Sequence, residues 1–438
     1  MVAPYLKAIE DRTAVIGIVG LGYVGLPLLL EFHHAGFRTV GLDLDPEKID
    51  ALKVGKSYIL HISGDRTDAL AKSGRYHGSV DMSAARDCDA LILCVPTPLT
   101  HHREPDISYV RDTAIALAPH IKPGQIICLE STTYPGTTEE VMIPALEAGS
   151  GLKAGRDFFV AYSPEREDPS NKNFGTKSIP KVVGGWEEHS LKVACALYDT
   201  VICKTIPVSS CAVAEATKLV ENIFRSVNIA MVNELKVLFD RMGIDIWEVI
   251  DAAKTKPFGF MPFYPGPGLG GHCIPIDPFY LTWKAREFEM QTKFIELSGE
   301  INSAMPDYVV SKVGDALNDA GRSIKGSRIF LVGLAYKANV DDQRESPSLK
   351  LIRLLEAKGA SVVYHDPHIP SIKPNREYPE LTGRVSHPIE EASKCDLTLI
   401  ATAHEVVDYT KLAGFASIIV DTRNAMKGIK GRAKVYKS

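Results

Sequence analysis

The chain has 438 residues, which is enough for two or three domains. Hydrophobic residues make up 45% of it and charged residues 24%, as in an ordinary folded globular protein, and a net charge of −4 argues against binding to nucleic acid or to an anionic membrane. Eight cysteines without a CxxC pair predict reduced thiols in a cytoplasmic protein and argue against a disulfide framework or a zinc site.

A glycine-rich turn lies between the first strand and the first helix of the predicted fold. The apolar strand 14–19 leads directly into Gly20-Leu-Gly-Tyr-Val-Gly25, and the next strand ends on Asp43. Glycines in this pattern allow a tight turn beneath a pyrophosphate, and the acid accepts hydrogen bonds from the adenosine ribose while repelling a 2′-phosphate. The pattern therefore predicts NAD, rather than NADP, held by Gly20, Gly22, Tyr23, Val24, Gly25 and Asp43.

Polar residues follow the next three buried strands, which are predicted at residues 90–95, 125–129 and 158–162. The strands lead into Pro96-Thr97-Pro98, the segment from Glu130 to Thr137, and Ser163-Pro164-Glu165-Arg166. Ligands of an open α/β sheet bind at the carboxyl edge, so three polar clusters there predict a site, although any single Ser or Thr can instead be a helix N-cap. Glu165 is the strongest candidate for a chemical role, the alternative being a structural pair with Arg166.

The centre of the chain predicts one long helix from Ala212 to about Met242, with no Pro or Gly before Gly243. Lys218 and Asn222 are four residues apart and therefore share one face of that helix. A polar row usually faces solvent, but Asn is costly in a helix without a partner, so we favour a ligand site. The helix is long enough to connect two domains and to form a subunit interface.

A loop of glycine and proline around one thiol follows this helix: Pro265-Gly-Pro-Gly-Leu-Gly-Gly-His-Cys-Ile-Pro-Ile-Asp-Pro278. Glycine lets a backbone approach a ligand closely, and proline fixes the turns around it. The loop therefore suits a large polar ligand that meets Cys273 and Asp277, whereas the alternative is a surface linker with an inert buried cysteine. Phe263 and its aromatic neighbours either stack on a base or pack a domain junction.

The last third of the chain repeats the α/β pattern, with predicted strands at 327–333, 360–366, 396–402 and 417–421. No complete GxGxxG accompanies them, so this part is predicted to be a Rossmann-like domain that lacks the dinucleotide-binding turn. The loop after its first strand carries Lys337 and Arg344, either as a cationic pair for a nucleotide phosphate or sugar or as part of a solvated charged loop. The predicted fold class is α/β, with two Rossmann-like parallel-sheet domains joined by a long central helix.

Together these motifs resemble the UDP-glucose/GDP-mannose dehydrogenase family over nearly the whole chain. The resemblance is carried by Gly20 to Gly25, Pro96-Thr-Pro98, Ser131-Thr132, Ser163-Pro-Glu165, Glu215-Ala-Thr-Lys-Leu-Val-Glu-Asn222, Gly270-Gly-His-Cys-Ile-Pro-Ile-Asp277 and the segment from Tyr336 to Pro347. It implies an NAD-binding domain at residues 1–205, a central helical dimerisation domain with the cysteine loop at 206–310, and a UDP-sugar-binding domain at 311–438. It also implies a homodimer or a higher homo-oligomer.

The residues around the cysteine resemble the branch of the family that acts on 2-acetamido sugars. The UDP-glucose branch has Ser or Tyr before the cysteine and Lys after it, where this chain has His272 and Ile276. That branch also has an arginine further upstream, where this chain has only Lys256. The resemblance is strongest to UDP-N-acetylglucosamine 6-dehydrogenases of O-antigen and capsule synthesis. UDP-N-acetylmannosamine enzymes share the His-Cys pair, and UDP-N-acetylgalactosamine and UDP-glucose are further alternatives.

Enzymes of this family oxidise the C6 hydroxyl of a nucleotide sugar to a carboxylate with two NAD, and the resemblance implies the residue roles. Cys273 is the nucleophile that holds the aldehyde, first as a thiohemiacetal and then as a thioester, while Lys218 and Asn222 stabilise the oxyanion. Thr132 and Asp277 order a water, and Asp277 or Glu165 is the base for hydrolysis. Pro96, Thr97 and Thr132 complete the NAD site. The substrate contacts are Glu165, Arg166, Lys218, Asn222, Phe263, Gly268, Gly270, Lys337 and Arg344.

Two other functions are alternatives. A two-electron dehydrogenase of the β-hydroxyacid type shares a Rossmann domain and a long helix with Lys and Asn four apart, but it lacks the cysteine loop and the third domain. A non-catalytic sensor of NAD or of a nucleotide sugar leaves Cys273 and Lys218 without a function. The number of NADH released per substrate separates the three, because the expected values are two, one and none.

Overall fold

The computed structural model describes residues 2–59, 62–100, 104–166, 175–271, 274–375 and 377–438. The described chain folds into two compact units. The first is formed by residues up to Glu221 together with Phe279–Met290, and the second by Asn222–Pro278 together with Gln291–Ser438. His272 and Cys273, to which the sequence gives a specificity role and a catalytic role, lie outside the described residues. None of the described helices has the length and apolar character that a membrane span requires.

The first unit is built on an eight-stranded sheet. Its strands are β1 (Val15–Val19), β2 (Arg38–Leu42), β3 (Tyr76–Ser79), β4 (Ala90–Leu93), β5 (Ile126–Leu129), β6 (Phe159–Tyr162), β7 (Lys181–Gly185) and β8 (Thr205–Val208). They lie in the order β3-β2-β1-β4-β5-β6-β7-β8, and every neighbouring pair is parallel except β6 and β7. The order reverses between β1 and β4, which is the point of a doubly wound sheet where ligands bind.

The helices of the described chain are α1 (Val2–Glu10), α2 (Gly25–His34), α3 (Pro46–Lys53), α4 (Gly64–Lys72), α5 (Ser108–Leu117), α6 (Ile143–Ser150), α7 (Glu188–Tyr198), α8 (Cys211–Met242), α9 (Ile246–Ala253), α10 (Asp277–Ala285), α11 (Lys293–Asn318), α12 (Pro347–Ala357) and α13 (Tyr409–Phe415). A π-helical turn, Thr138–Met142, precedes α6. Short 3-10 segments lie at Met82–Asp87, Ala118–His120, Thr176–Ser178, Arg286–Phe288, Pro379–Leu381 and Ile389–Lys394.

Both faces of the eight-stranded sheet are covered. Alternate residues of a strand point to opposite faces, so Ile16 and Ile18 of β1 pack with side chains of α2 and α7, whereas Val15 and Val19 lie in the core beneath α5 and α6. Because neither face meets water, β1, β4, β5 and β6 are buried along their whole length. This burial explains why the sequence shows continuous apolar runs rather than alternation.

The second unit contains a smaller parallel sheet. Its strands are β9 (Arg328–Val332), β10 (Ser361–His365), β11 (Leu397–Ile400), β12 (Ile418–Asp421) and β13 (Lys434–Lys437), in the order β10-β9-β11-β12-β13. Residues of α11 and α12 share one core cluster with β9 and β11, and residues of α13 lie in a separate cluster with β9, β11 and β12. The two sheets and the long helix α8 confirm the predicted fold class.

Candidate functional site

The turn between β1 and α2 requires glycine for two different reasons. Gly20 has a φ of +91°, and a Cβ there would lie 2.5 Å from the carbonyl oxygen of Cys94, while a Cβ on Gly25 would collide with the carbonyl oxygen of Gly20. At Gly22, by contrast, no atom of the described residues lies within 4 Å of such a Cβ, so this position keeps the space beside the turn open. An open backbone surface at the N-terminus of α2 fits a pyrophosphate group.

Asp43 follows β2 and reaches the same turn. Its Oδ2 accepts hydrogen bonds from Leu21 N (2.7 Å) and from the ammonium of Lys48 (3.0 Å), and its Oδ1 accepts one from Asp45 N (3.0 Å). A carboxylate has about four acceptor positions, so Asp43 retains capacity for a ribose hydroxyl. The open position at Gly22 and the anchored carboxylate of Asp43 therefore fit an NAD molecule. Of the other predicted contacts in the turn, Tyr23 is exposed and Val24 is half-buried.

The loops after β4 and β5 are neighbours at this edge of the sheet, because the two strands pair in parallel. The hydroxyl of Ser131 donates to the carbonyl of Val95 at 2.6 Å and joins one loop to the other. Thr97 is buried, its carbonyl accepts the hydroxyl of Tyr280 from α10, and Thr132 is half-buried beside Ser131. The structure thus places the segment Pro96-Thr97 and Thr132 in two adjacent loops of the first unit.

Glu215, near the start of α8, is a fully buried carboxylate that holds the loop carrying Thr132. It accepts hydrogen bonds from Gly136 N (2.6 Å), from Thr138 N (2.9 Å) and from the Thr138 hydroxyl (2.7 Å). Burial raises the pKa of Glu215 to about 7, because it outweighs the hydrogen bonds from Thr138 and Gly136, which lower that pKa. The sequence contained Glu215 in a family motif, but nothing local in it indicated these partners.

The turn after β6 carries Glu165 and is held from several sides. The ammonium of Lys218 donates to the carbonyl of Glu165 at 2.5 Å, and Arg166 N donates to the Glu165 carboxylate at 2.7 Å. The guanidinium of Arg166 makes its ion pair with Glu221, at 2.6 Å, and also donates to the carbonyl of Pro180 at 2.6 Å. These contacts hold the backbone of the Glu165 turn and give the guanidinium of Arg166 a carboxylate partner in Glu221.

In the second unit, the predicted residues Asn222 and Asp277 are joined directly. The amide of Asn222 donates to Asp277 Oδ2 at 2.6 Å, and the two residues are only 2% and 3% exposed. Asp277 therefore supplies a hydrogen-bond partner for the buried amide of Asn222, which would otherwise be costly in a helix. Lys218 lies one turn earlier on the same face of α8.

The glycines of the loop before Cys273 pack against other segments of the second unit. A Cβ on Gly270 would lie 2.7 Å from the Cβ of Tyr336, and one on Gly268, whose φ is +135°, would lie 3.2 Å from Pro347. Gly271 N also donates to the carbonyl of Arg344 at 3.1 Å. Close packing against the loop after β9 is thus one physical reason for glycine at Gly268 and Gly270, and it fixes this part of the loop.

Arg423 is a candidate ligand-binding residue that the sequence reasoning missed. It follows β12, donates from Nε to the carbonyl of Ala401 at 2.9 Å, and a Cβ on Gly266 would collide with its guanidinium. Burial lowers the pKa of Arg423 to about 10, although Asp421 opposes that shift. Arg423 is half-buried, and a guanidinium partly removed from water beside a glycine loop fits a phosphate oxygen. Its position just past a predicted strand end was the signal that could have identified it.

The loop with Lys337 and Arg344 is ordered by contacts within the second unit. Arg344 forms an ion pair with Asp342 at 2.6 Å, and the side chain of Gln343 exchanges two hydrogen bonds with the backbone of Lys373. Lys337 is half-buried in this loop. Phe263, elsewhere in the second unit, is half-buried and packs edge-on against Phe224, with ring centroids 5.7 Å apart.

Three family models match successive parts of the chain. They describe the NAD binding domain, the central domain and the UDP binding domain of the UDP-glucose/GDP-mannose dehydrogenase family, and they match residues 14–202, 212–304 and 330–428.

Curated proteins and solved structures of the same kind are similar over most of their length. The UDP-N-acetyl-D-glucosamine 6-dehydrogenase of Pseudomonas aeruginosa is 38% identical over 83% of this chain and 85% of its own. The enzyme of the same name from Salmonella typhi is 33% identical over 89% of this chain and 90% of its own. The structure of the UDP-D-ManNAc dehydrogenase from Pyrococcus horikoshii superposes with a TM-score of 0.87 at 30% identity, covering 97% of this chain and 98% of that one.

Proposed function

The chain belongs to the UDP-glucose/GDP-mannose dehydrogenase family and is an NAD-dependent UDP-sugar dehydrogenase, and we propose that its substrate is UDP-N-acetylglucosamine, whose C6 hydroxyl it oxidises to a carboxylate. Two curated relatives with this activity in their names support the choice of sugar. His272 and Ile276 support it as well, since they replace the residues typical of the UDP-glucose branch. The acid product suits the synthesis of O-antigen or capsule polysaccharide.

The observation that carries the proposed chemistry is the buried hydrogen bond between Asn222 and Asp277. Asp277 stands four residues after Cys273 in the sequence. A buried amide whose orientation is fixed by a carboxylate needs no rearrangement to donate its second N–H to a developing negative charge. This is the arrangement that a covalent route through Cys273 requires of Asn222.

Both oxidations use the hydride-accepting chemistry that bound NAD supplies. In the first, the C6 hydroxyl loses its proton and C6 loses a hydride, which gives an aldehyde. The thiolate of Cys273 then forms a bond to that carbon, and the resulting oxyanion is stabilised by the charge of Lys218 and by the amide of Asn222. Loss of the second hydride from the thiohemiacetal leaves a thioester, and the covalent bond prevents escape of the aldehyde between the two steps.

Hydrolysis of the thioester releases the acid. A water adds to the carbonyl carbon, gives its proton to a base, and the carbon–sulfur bond breaks to restore the thiolate of Cys273. We assign the base to Glu165, which is half-buried, because the carboxylate of Asp277 is buried and already accepts the amide of Asn222. Asp277 and Thr132 order the water.

The second unit supplies cations and packed backbone for the UDP part of the substrate. Arg423 is half-buried and burial lowers its pKa, and a weakly hydrated guanidinium binds a diphosphate oxygen well. Lys337 and Arg344 add positive charge, and Phe263 and the backbone at Gly268 and Gly270 contact the nucleotide sugar. Arg166, Glu165, Lys218 and Asn222 bind the sugar.

The division into an NAD-binding domain (1–205), a dimerisation domain (206–310) and a UDP-sugar-binding domain (311–438) is part of the proposal. The C-terminal part of α8 exposes Phe224, Met231 and Leu238 at seven-residue intervals, with Met242 following. An exposed apolar stripe on a long helix supports a homodimer formed through this face. Light scattering during size-exclusion chromatography tests it, since Met231→Glu with Leu238→Glu is expected to shift a dimer to a monomer.

The substrate is tested by the rate of NADH formation with four UDP-sugars. We expect the highest kcat/KM with UDP-N-acetylglucosamine and lower values with the N-acetylmannosamine, N-acetylgalactosamine and glucose analogues. A higher kcat/KM with any of the other three would contradict the proposed sugar and leave the family assignment intact. The similarity to the UDP-D-ManNAc dehydrogenase of Pyrococcus horikoshii makes N-acetylmannosamine the second candidate.

A further inference from the structure

We infer that Lys181 and Glu130 form a buried positioning pair that fixes the turn carrying Glu165 for the hydrolytic step. Neither residue is part of the proposed catalytic or binding set. The inference rests on the proposed role of Glu165 as the base for thioester hydrolysis. It is argued from contacts within the first unit alone.

The pair is an ion pair almost completely removed from water. Lys181 begins β7, Glu130 follows β5, and the ammonium lies 3.0 Å from the carboxylate, with side chains 5% and 0% exposed. The hydroxyl of Tyr198 donates to the other carboxylate oxygen of Glu130 at 2.6 Å. The ring of Tyr198 also faces the ammonium, which lies 5.1 Å from the ring centroid. These contacts hold both charges in one defined arrangement.

The ammonium of Lys181 also reaches the turn that carries Glu165. It donates to the carbonyl of Pro164 at 3.4 Å, and the next carbonyl, that of Glu165, accepts the ammonium of Lys218 at 2.5 Å. Two lysines from different elements therefore hold consecutive carbonyls of one turn. The hydroxyl of Ser163 secures the start of the same turn by donating to the carbonyl of Val182 at 2.7 Å.

Lys181 and Glu165 line one small cavity, together with Pro164, Arg166, Ile179, Pro180 and Ile202. The two side chains therefore lie beside one common space, and their opposite charges attract each other across it. Glu130 prevents that ammonium from being an uncompensated buried charge. The pair thus fixes the position of the turn and the position of the Lys181 ammonium beside it.

Stability alone is a weak explanation for such a pair. A buried ion pair can often be replaced by apolar residues of similar volume at no cost in stability, because desolvation offsets the attraction between the charges. Removing only one partner, by contrast, leaves an uncompensated buried charge and is strongly destabilising. A pair that adds little net stability but holds the turn of the proposed hydrolytic base, Glu165, is explained by its effect on that turn.

The test is a double variant, Glu130→Gln with Lys181→Met, which removes both charges together and avoids a stranded buried carboxylate. The control is Lys177→Met, which removes an exposed lysine four residues earlier in the same segment. Circular dichroism and calorimetric binding of UDP and of NAD report whether the fold and both binding functions are retained. We expect both proteins to bind the two ligands as the wild type does.

In the double variant, kcat should fall by about 100-fold, as expected when a catalytic group is misplaced by about 1 Å. KM for the UDP-sugar should fall with it and kcat/KM should stay near the wild-type value, because only the step after the acyl-enzyme forms is slowed. Because hydrolysis is the step affected, the variant should release a burst of two NADH per site and then turn over slowly. Intact-protein mass spectrometry should detect the acyl group on Cys273. The Lys177→Met protein should show neither change.

The outcomes separate this inference from the function on which it rests. If the wild type releases two NADH per substrate and the double variant keeps wild-type kcat, the positioning role is wrong and the proposed function stands. A double variant with a raised KM and no acyl intermediate would also overturn the inference, because it would indicate a loss of binding. A wild type that releases one NADH or none would overturn both.

Discussion

In both sheets of this protein the second strand is followed by an aspartate, but the two aspartates bind different groups. Asp43 follows β2 and Asp366 follows β10, and each carboxylate accepts the backbone N–H of a leucine after the first strand of its own sheet. These are Leu21 in the first unit and Leu334 in the second, and both hydrogen bonds measure 2.7 Å. The same local construction therefore appears twice.

The difference lies in what else each carboxylate binds. Asp366 also accepts Ala335 N (2.9 Å), His368 N (2.8 Å), Ile369 N (3.0 Å) and the fully buried imidazole of His404 (3.0 Å). That set fills its acceptor capacity, whereas Asp43 keeps room for a ribose hydroxyl. The comparison teaches that a Rossmann acid can be converted from a ligand contact into a structural anchor. In the second unit, the proposed ligand contacts are therefore the cations on the neighbouring loops.

The largest effect is expected from Asp366→Asn. In this variant an uncharged amide replaces the carboxylate that accepts the backbone N–H groups and His404. The free energy of unfolding of the second unit should therefore fall by about 3 kcal/mol. Hydrogen exchange of β9 and β11 amides measures this directly. Asp319→Asn, at an exposed carboxylate, is the control and should change protection little. If the β9 and β11 amides of Asp366→Asn were as protected from exchange as those of the wild type, Asp366 would not be a structural anchor.

Arg423→Met should weaken UDP binding by about 10- to 100-fold, because a hydrogen bond to a charged group contributes about 1.5–3 kcal/mol. NAD affinity should not change, since Asp43 and the glycine turn belong to the first unit. Titration calorimetry with UDP and with NAD measures both values. Lys430→Met, at an exposed lysine of the same segment, is the control and should bind UDP normally. Equal losses of UDP and NAD affinity would indicate general damage and contradict this role.

Asp43→Asn should lower NAD affinity by up to about tenfold, equivalent to about 1.4 kcal/mol, because a charged acceptor for the ribose becomes neutral. It should also reduce the preference for NAD over NADP, since the repulsion of a 2′-phosphate is lost. Steady-state kinetics with both cofactors give the two numbers. The reciprocal control is Asp366→Asn, which should leave NAD affinity unaltered. If it lowers NAD affinity as much as Asp43→Asn does, the two acids do not have the separate roles described.

The smallest effect is a contrast in pH dependence between two buried acids. Burial raises the pKa of Glu215 to about 7, so its contribution to stability is present below the unfolded pKa and is lost as pH rises toward and past 7. Burial also acts to raise the pKa of Asp366, but hydrogen bonds from His404 and from backbone amides lower it overall, so its contribution is lost as pH falls.

Between pH 6 and pH 7.5, the contribution of Glu215 to the free energy of unfolding should fall by about 1 kcal/mol. The Glu215→Gln protein should lack this pH dependence of the free energy of unfolding. Urea denaturation of both proteins at several pH values measures it. The result that contradicts the account is a slope in Glu215→Gln equal to that of the wild type. Asp366→Asn is the matched control, because Asp366 stays ionised across this range and the slope should be retained.

Local patterns in the sequence were sufficient for the scaffold. The glycines from Gly20 to Gly25 and the acid Asp43 are read from one strand–turn–helix–strand segment, and the four-residue spacing of Lys218 and Asn222 places them on one helix face. Apolar runs located the strands well, because fully buried strands are continuous in sequence. They carry no information on direction, so the antiparallel pairing of β6 and β7 was not predicted.

Partners distant in sequence could not be predicted. The contact from Asn222 to Asp277 spans 55 residues, that from Lys181 to Glu130 spans 51, and that from Glu215 to Thr138 spans 77. Such pairs depend on which strands become neighbours and how a helix docks, and no local periodicity encodes either. The position of Arg423 after a predicted strand was readable in the sequence, but its contact with Gly266 was not, because only packing brings the two together.

The most direct test of the central claim is the number of NADH released per UDP-N-acetylglucosamine consumed, measured for the wild type and for Cys273→Ser. The account predicts two NADH and one molecule of the uronic acid from the wild type, because C6 loses two hydrides while it is held on Cys273. Cys273→Ser should bind UDP-sugar and NAD but fail to complete the second oxidation. A single NADH from the wild type, or full acid product from Cys273→Ser at the wild-type rate, would contradict the account.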